Sequence, residues 1–173
     1  MSEGPRRVLA AVDGSVASLK AGRLAIALAA TWGAAVRLIA VADEPDTAGP
    51  GPGEGRSGSG LEERRTQLRN VLEYVRREHD DVQVVVDVVL RERPGAQPYE
   101  LILEEAERWR ADLLVVGRRG HRGLGRALLG SQAEHVLEFA GLPVVVVPEK
   151  TDRQGTQWAA AGKGPLRQPR SVG

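Results

Sequence analysis

Residues 113–139 read LLVVGRRGHRGLGRALLGSQAEHVLEF. Leu113–Val116 is a continuous apolar run, the pattern of a strand buried on both faces. Gly117, Gly120, Gly123, Gly125 and Gly130 follow within fourteen residues, interleaved with Arg118, Arg119, Arg122 and Arg126. A helix then begins at Gly130-Ser131, with Ala133, Val136, Leu137 and Ala140 as its apolar positions and Gly141 and Pro143 as its stop. This order places the loop at the carboxyl edge of a sheet, where open α/β sheets bind ligands. Glycines let an anion approach backbone amides closely. A helix N-terminus adds free N–H groups and about half a positive charge. With the arginines beside it, the stretch has the chemistry to hold phosphate.

Four more apolar runs occur at Arg7–Val12, Ala35–Val41, Val82–Leu90 and Val144–Val147. Helical patterns separate them. Ser15 can cap the first, in which Leu24, Leu28 and Trp32 share a face. The second spans about Leu61 to His79, with a stripe of Leu61, Leu68, Leu72 and Val75. The third follows Pro98 and includes Leu101, Ile102, Glu105 and Trp109. Strand and helix thus alternate from β to β through five strands, which predicts one α/β doubly wound parallel sheet with helices on both faces.

Two segments fall outside that plan. Residues 43–60, DEPDTAGPGPGEGRSGSG, hold six glycines and three prolines and read as a flexible surface loop, or else as a lid over a ligand. Residues 149–173 lack periodicity, carry a net charge of +3 and read as a disordered basic tail. The domain is therefore expected to be residues 1–148, with a net charge of −2.

Composition narrows the function. The chain has 173 residues, 42 % of them hydrophobic, which suits one globular domain with a real core. No run approaches twenty apolar residues and no secretory signal is visible, so a cytoplasmic, membrane-free protein is expected. Cysteine is absent, which excludes disulfides, thiol catalysis and thiolate metal sites. The overall charge is +1 and aromatics are 3 %, which argues against a nucleic-acid surface. His79, His121 and His135 are scattered and form no metal constellation, with His135 expected on the surface of its helix. Neither a Ser-His-Asp set nor a nucleophile elbow is present, so no catalytic residue is assigned.

Two familiar phosphate loops do not fit. Gly120 to Gly125 has Walker spacing but is followed by Arg126-Ala127 where Lys-Ser/Thr is required. Gly123-x-Gly125 meets Leu128 where a dinucleotide fingerprint needs its third glycine. The spacing that does fit is G-x2-G-x9-G-[ST], formed by Gly117, Gly120, Gly130 and Ser131. It resembles the ATP-binding signature of the universal stress protein family. VLAAVDGSVAS near the N-terminus, PYELILEEAERWRADLLVVGRRG at 98–120 and GLPVVVVP at 141–148 resemble further parts of that family. The likeness spans about residues 5–148.

The resemblance implies a five-stranded sheet in the order 3-2-1-4-5, with ATP at the switch point between strands one and four. It places Asp13, with the backbone around Ala11, near adenine and ribose, and Val41 against adenine. It places Gly117, Gly120, Gly130 and Ser131 on ribose and phosphates, with backbone atoms of Val116 and Gln132 beside them. Mg or Mn would come with the triphosphate. It also implies a homodimer joined through Val144–Val147, an edge strand that needs covering. The expected function is a nucleotide-dependent regulator of a stress response, acting on a protein partner that the residues do not identify. Two alternatives stay open. A slow ATPase would have only His121 or Asp13 to orient water, and a nucleotide-free dimeric scaffold would leave the glycine signature unused. Asp13 also fits a plain turn-capping role.

Overall fold

The computed structural model describes residues 4–42, 59–79, 82–118 and 129–149. Strands β1 (Arg7–Ala11), β2 (Ala35–Val41), β3 (Val86–Arg91), β4 (Leu113–Gly117) and β5 (Val144–Val147) alternate with helices. These are α1 (Val16–Trp32), α2 (Ser59–Arg77), α3 (Pro98–Trp109) and α4 (Ser131–Phe139). All strand pairs are parallel, and the order is β3-β2-β1-β4-β5, as expected.

Alternation along each strand divides the core between the two faces of the sheet. Val8, Ala10, Val36, Leu38 and Val115 pack with α1 and α2 on one face. Leu9, Ile39, Leu114 and Val116 pack with α3 and α4 on the other. Connections from β1 run one way along the sheet and those after β4 run the other, so the chain reverses direction between β1 and β4. That is the switch point of a doubly wound fold.

The α1 face differs from the expected one. Its buried residues are Ala17, Ser18, Ala21, Gly22, Ala25, Ile26 and Ala29, while Leu24 and Leu28 are half-buried and Trp32 is 43 % exposed. Small side chains bring the helix close to its neighbours. A Cβ on Gly22 would stand 3.0 Å from Val75 Cγ1 and 3.3 Å from Val12 Cγ2. In α2 the expected stripe holds, with Leu68, Leu72 and Val75 buried and Leu61 half-buried. In α4, Ala133 and Val136 face the core but Leu137 is 45 % exposed. The third strand starts later than its apolar run, because the Val84 N–H donates to the Val82 carbonyl (2.8 Å) and turns the chain before Val86. Most of the loop at 43–60 and all but Glu149 of the tail at 149–173 lie outside the described residues.

Candidate functional site

The carboxyl end of β1 runs directly into a tight turn. Gly14 has φ of 89°, a left-handed value that a side chain would disfavour. Asp13 Oδ1 accepts from the Ser15 N–H (2.9 Å), an Asx turn. Ser15 in turn caps α1, its Oγ accepting from the Ser18 N–H (3.3 Å). The buried Ser18 hydroxyl accepts from the Asp13 N–H (3.1 Å) and donates to the Ser15 carbonyl (2.9 Å). The capping role of Asp13 is therefore real, and it holds the carboxylate at the mouth of the switch point.

Gly117 ends β4 against this same turn of helix. A Cβ there would lie 2.8 Å from the Ser18 nitrogen and 2.9 Å from the Ala17 carbonyl carbon. The glycine is thus required by helix–strand packing, whatever it does for a ligand. The next residue, Arg118, donates its N–H to the Val147 carbonyl (2.7 Å) and accepts from the Gly130 N–H (2.9 Å). A continuous path of contacts runs from Asp13 through Ser18, Gly117 and Arg118 to Gly130.

Gly130 is the N-cap of α4, with φ −76° and ψ 149°. Any residue adopts that conformation, so the backbone does not demand glycine here. With no side chain, Gly130 cannot cap the amides of the first turn, where Ser131 stands exposed. Glu134 is the acidic residue of that turn. Gln132 uses its side chain, and not only its backbone: Oε1 accepts from the Tyr99 N–H (2.9 Å) at the start of α3. It ties the two helix N-termini together.

Ala11, Val41 and Val116 all belong to the α3/α4 side of the core. Ala11 and Val116 each stand one residue beyond the last ladder pair of β1 and β4, Ala10 with Val115. Val41 ends β2 opposite Arg91 of β3 and is half-buried. Gly120 and His121 lie outside the described residues. Among the described residues no three His, Cys, Asp or Glu side chains are grouped to hold a metal ion. Nor is any helix among them long and apolar enough to cross a membrane.

Two constellations escaped the sequence reading. Glu105 of α3 is 2 % exposed and joins three arginines. Arg37 reaches its Oε1 (2.7 Å), Arg91 reaches Oε2 (2.8 Å), and Arg108 approaches from the next turn. Arg37 also pairs with Asp87 (2.6 Å) and lies 4.9 Å over the ring of Trp109. The signal available was Glu105 at an apolar helical position, facing arginines at β2 and β3. Elsewhere His135 is not a surface residue of α4. Its ring stacks on Tyr99 (4.7 Å between centroids) and lies 6.3 Å from the ring of Phe139. The aromatic spacing at 135 and 139, one helical turn apart, was the legible hint.

Comparison with known proteins places this arrangement. A model described as the Universal stress protein family matches residues 4–148. Universal stress protein MJ0531 of Methanocaldococcus jannaschii is 34 % identical over 142 residues, which are 82 % of this chain and 81 % of that one. A universal stress protein family member from Arabidopsis thaliana, solved with AMP bound, superposes with a TM-score of 0.61 at 18 % identity. The match covers 90 % of this chain and 99 % of that one. The universal stress protein from Archaeoglobus fulgidus in complex with dAMP gives a TM-score of 0.56 at 22 % identity, covering 84 % and 99 %. At these identities the two structures establish a shared fold. With the family model spanning all of β1 to β5, the chain belongs to the universal stress protein family.

Proposed function

We propose that the chain is a cytoplasmic, nucleotide-dependent regulator of a stress response that binds ATP at the carboxyl edge between β1 and β4. The observation that carries this reading is Gly130. A glycine stands at an N-cap whose backbone would accept any residue, and where Ser, Asp or Asn would stabilise the helix by about a few tenths of a kcal/mol more while covering its amides. Its bare amides, the G-x2-G-x9-G-S spacing and the adjoining Asp13 turn together suit a phosphate-bearing ligand. The AMP and dAMP complexes of the Arabidopsis and Archaeoglobus proteins favour an adenine base.

In this reading Asp13 and the Ala11 backbone meet adenine and ribose, and Val41 packs on adenine. Gly117, Gly120, Gly130 and Ser131 hold ribose and phosphates, with Val116 and Gln132 beside them. Divalent metal, Mg or Mn, would arrive with the triphosphate. Three or four charge-assisted hydrogen bonds at roughly 1.5–3 kcal/mol each support affinity of about micromolar.

The test is to purify the protein natively, denature it and identify released nucleotide by chromatography and mass spectrometry. ATP from wild type and none from Gly130→Val is expected. Nucleotide in equal amount from both would overturn the site.

A homodimer through β5 completes the proposal. β5 is an edge strand, and Leu137 lies exposed on α4, the helix that leads into it. A second copy would cover both. Light scattering at micromolar concentration should give twice the chain mass, and a monomer would count against it.

A further inference from the structure

Between α3 and α4 lies an open groove of about 300 Å³ that the nucleotide reading does not use. Tyr99, Leu103 and Phe139 supply its apolar lining, and Phe139 is 56 % exposed although its ring continues the stack from Tyr99 (5.9 Å). Glu100, Glu104, Glu107 and Arg93 supply the rim. Arg93 is already engaged by Glu104 (2.8 Å), so the rim is acidic.

The rim belongs to a wider asymmetry. Helices α3 and α4 carry six glutamates against one arginine, whereas α1 and α2 carry seven lysines and arginines against three glutamates. The helices on one side of the sheet are thus acidic and those on the other basic, even with the buried Glu105 set against its arginines.

We infer that the groove is a docking surface for the chain's own C-terminal segment, residues 150–173. That segment holds Lys150, Arg153, Lys163, Arg167 and Arg170 against a single Asp152, with Trp158 among them. Its charge is opposite to that of the rim. An arginine or tryptophan suits an aromatic lining, by cation–π contact or by stacking. The segment departs after β5, the strand that α4 leads into. Its root, Glu149, sits at the carboxyl edge of the sheet, where the Glu149 carbonyl accepts from Lys20 Nζ of α1, so the segment has to cross that edge to reach the groove. Twenty-four residues span at most about 80 Å, against roughly 10 Å between neighbouring helix axes. Tethering also gives the segment an effective concentration on the order of millimolar, so a weak intrinsic affinity suffices to fill the groove.

The chain has only three lysines, Lys20, Lys150 and Lys163, which makes the docking readable. Full-length protein, half of it labelled with heavy nitrogen, is treated with a carbodiimide that joins amines to carboxylates without a spacer. Cross-linked peptides are then identified by mass spectrometry. Lys163 should couple to Glu100, Glu104 or Glu107 at about five times its yield on the α2 glutamates, within chains of one isotope. Salt at about 0.5 M should erase that preference, because the Debye length falls to a few ångströms. Phe139→Ala should reduce it, and this exposed position leaves the core intact. Equal coupling to α2 and α3 would overturn the inference. Coupling to α3 of which about half joins chains of different isotope, the share that random pairing of copies gives, would overturn it in favour of a second copy's tail.

Discussion

The first turn of α1 rests on Gly117 so closely that a single added carbon there would stand 2.8 Å from the backbone nitrogen of Ser18. The contact joins the end of β4 to the turn that positions Asp13, and so links the two strand ends that flank the switch point.

Gly117→Ala should therefore force the helix and strand apart. The colliding atoms are backbone, which cannot rotate away. Overpacking of this kind costs about 1–3 kcal/mol, or a fall in Tm of roughly 2–4 °C per kcal/mol for a chain of this size. Thermal unfolding checks it. An unchanged Tm would mean that α1 is less tightly seated than the structure indicates.

Gly130→Asp should separate stability from binding. Aspartate is a favoured N-cap, and its charge complements the α4 N-terminus. Stability should hold or rise by about a few tenths of a kcal/mol. Retained nucleotide should drop at least about tenfold, since the carboxylate occupies the amides and repels phosphate. Chemical denaturation and nucleotide analysis of one preparation measure both. Wild-type nucleotide content would remove the α4 N-terminus from the site.

Glu105→Ala should be among the most damaging single changes outside the apolar core. It leaves Arg91 facing a buried cavity without the carboxylate it pairs with, and Arg37 with Asp87 alone. Breaking a buried pair costs about 3–5 kcal/mol, and the partial exposure of both arginines favours the lower end. Glu105→Gln keeps the shape and some hydrogen bonds, so its loss should be smaller. Urea denaturation midpoints should follow that order.

Acid should release a clamp between α1 and the end of α2. The bidentate Arg23 guanidinium (2.8 and 2.9 Å) holds the Glu78 carboxyl below its ordinary value of 4.5. A depressed folded pKa gives stability that is present above the unfolded value and is lost as pH falls through the folded one. Both side chains are partly solvated, which limits the effect to about 0.5 kcal/mol. Glu78→Gln should be less stable than wild type at pH 7. The difference should narrow as pH drops below 4.5 and vanish under the depressed folded value. A difference that persisted in strong acid would exclude this clamp as its source.

The strands were legible because parallel strands are buried on both faces, and runs such as Leu113–Val116 and Val144–Val147 have little alternative. The Gly130-Ser131 helix start was legible from local spacing. The packing face of α1 was not. Leucines at 24 and 28 promise more burial than alanines at 21 and 25, yet a helix that must sit close to a strand ending in Gly117 turns its smallest residues inward. Long-range polar contacts were equally hidden. Gln132 meets Tyr99 across thirty-three residues and Arg37 meets Glu105 across sixty-eight, distances over which no local pattern exists. Asp13 shows the opposite case: its turn was readable, and its partners Ser15 and Ser18 lie within five residues.

The bond from the Gly130 amide to the Arg118 carbonyl has a consequence for how this family can vary. The two residues bracket the glycine- and arginine-rich stretch, and their bond fastens its stem independently of what lies between. Arg118 is fastened again to Val147, so the stem is anchored in the sheet itself. Doubling the length of a closed loop costs only about 0.6 kcal/mol. A change of length between these two anchors therefore costs the scaffold little, with β4 and α4 left in register, whereas the proposed site still requires Gly120 and its spacing to Gly130.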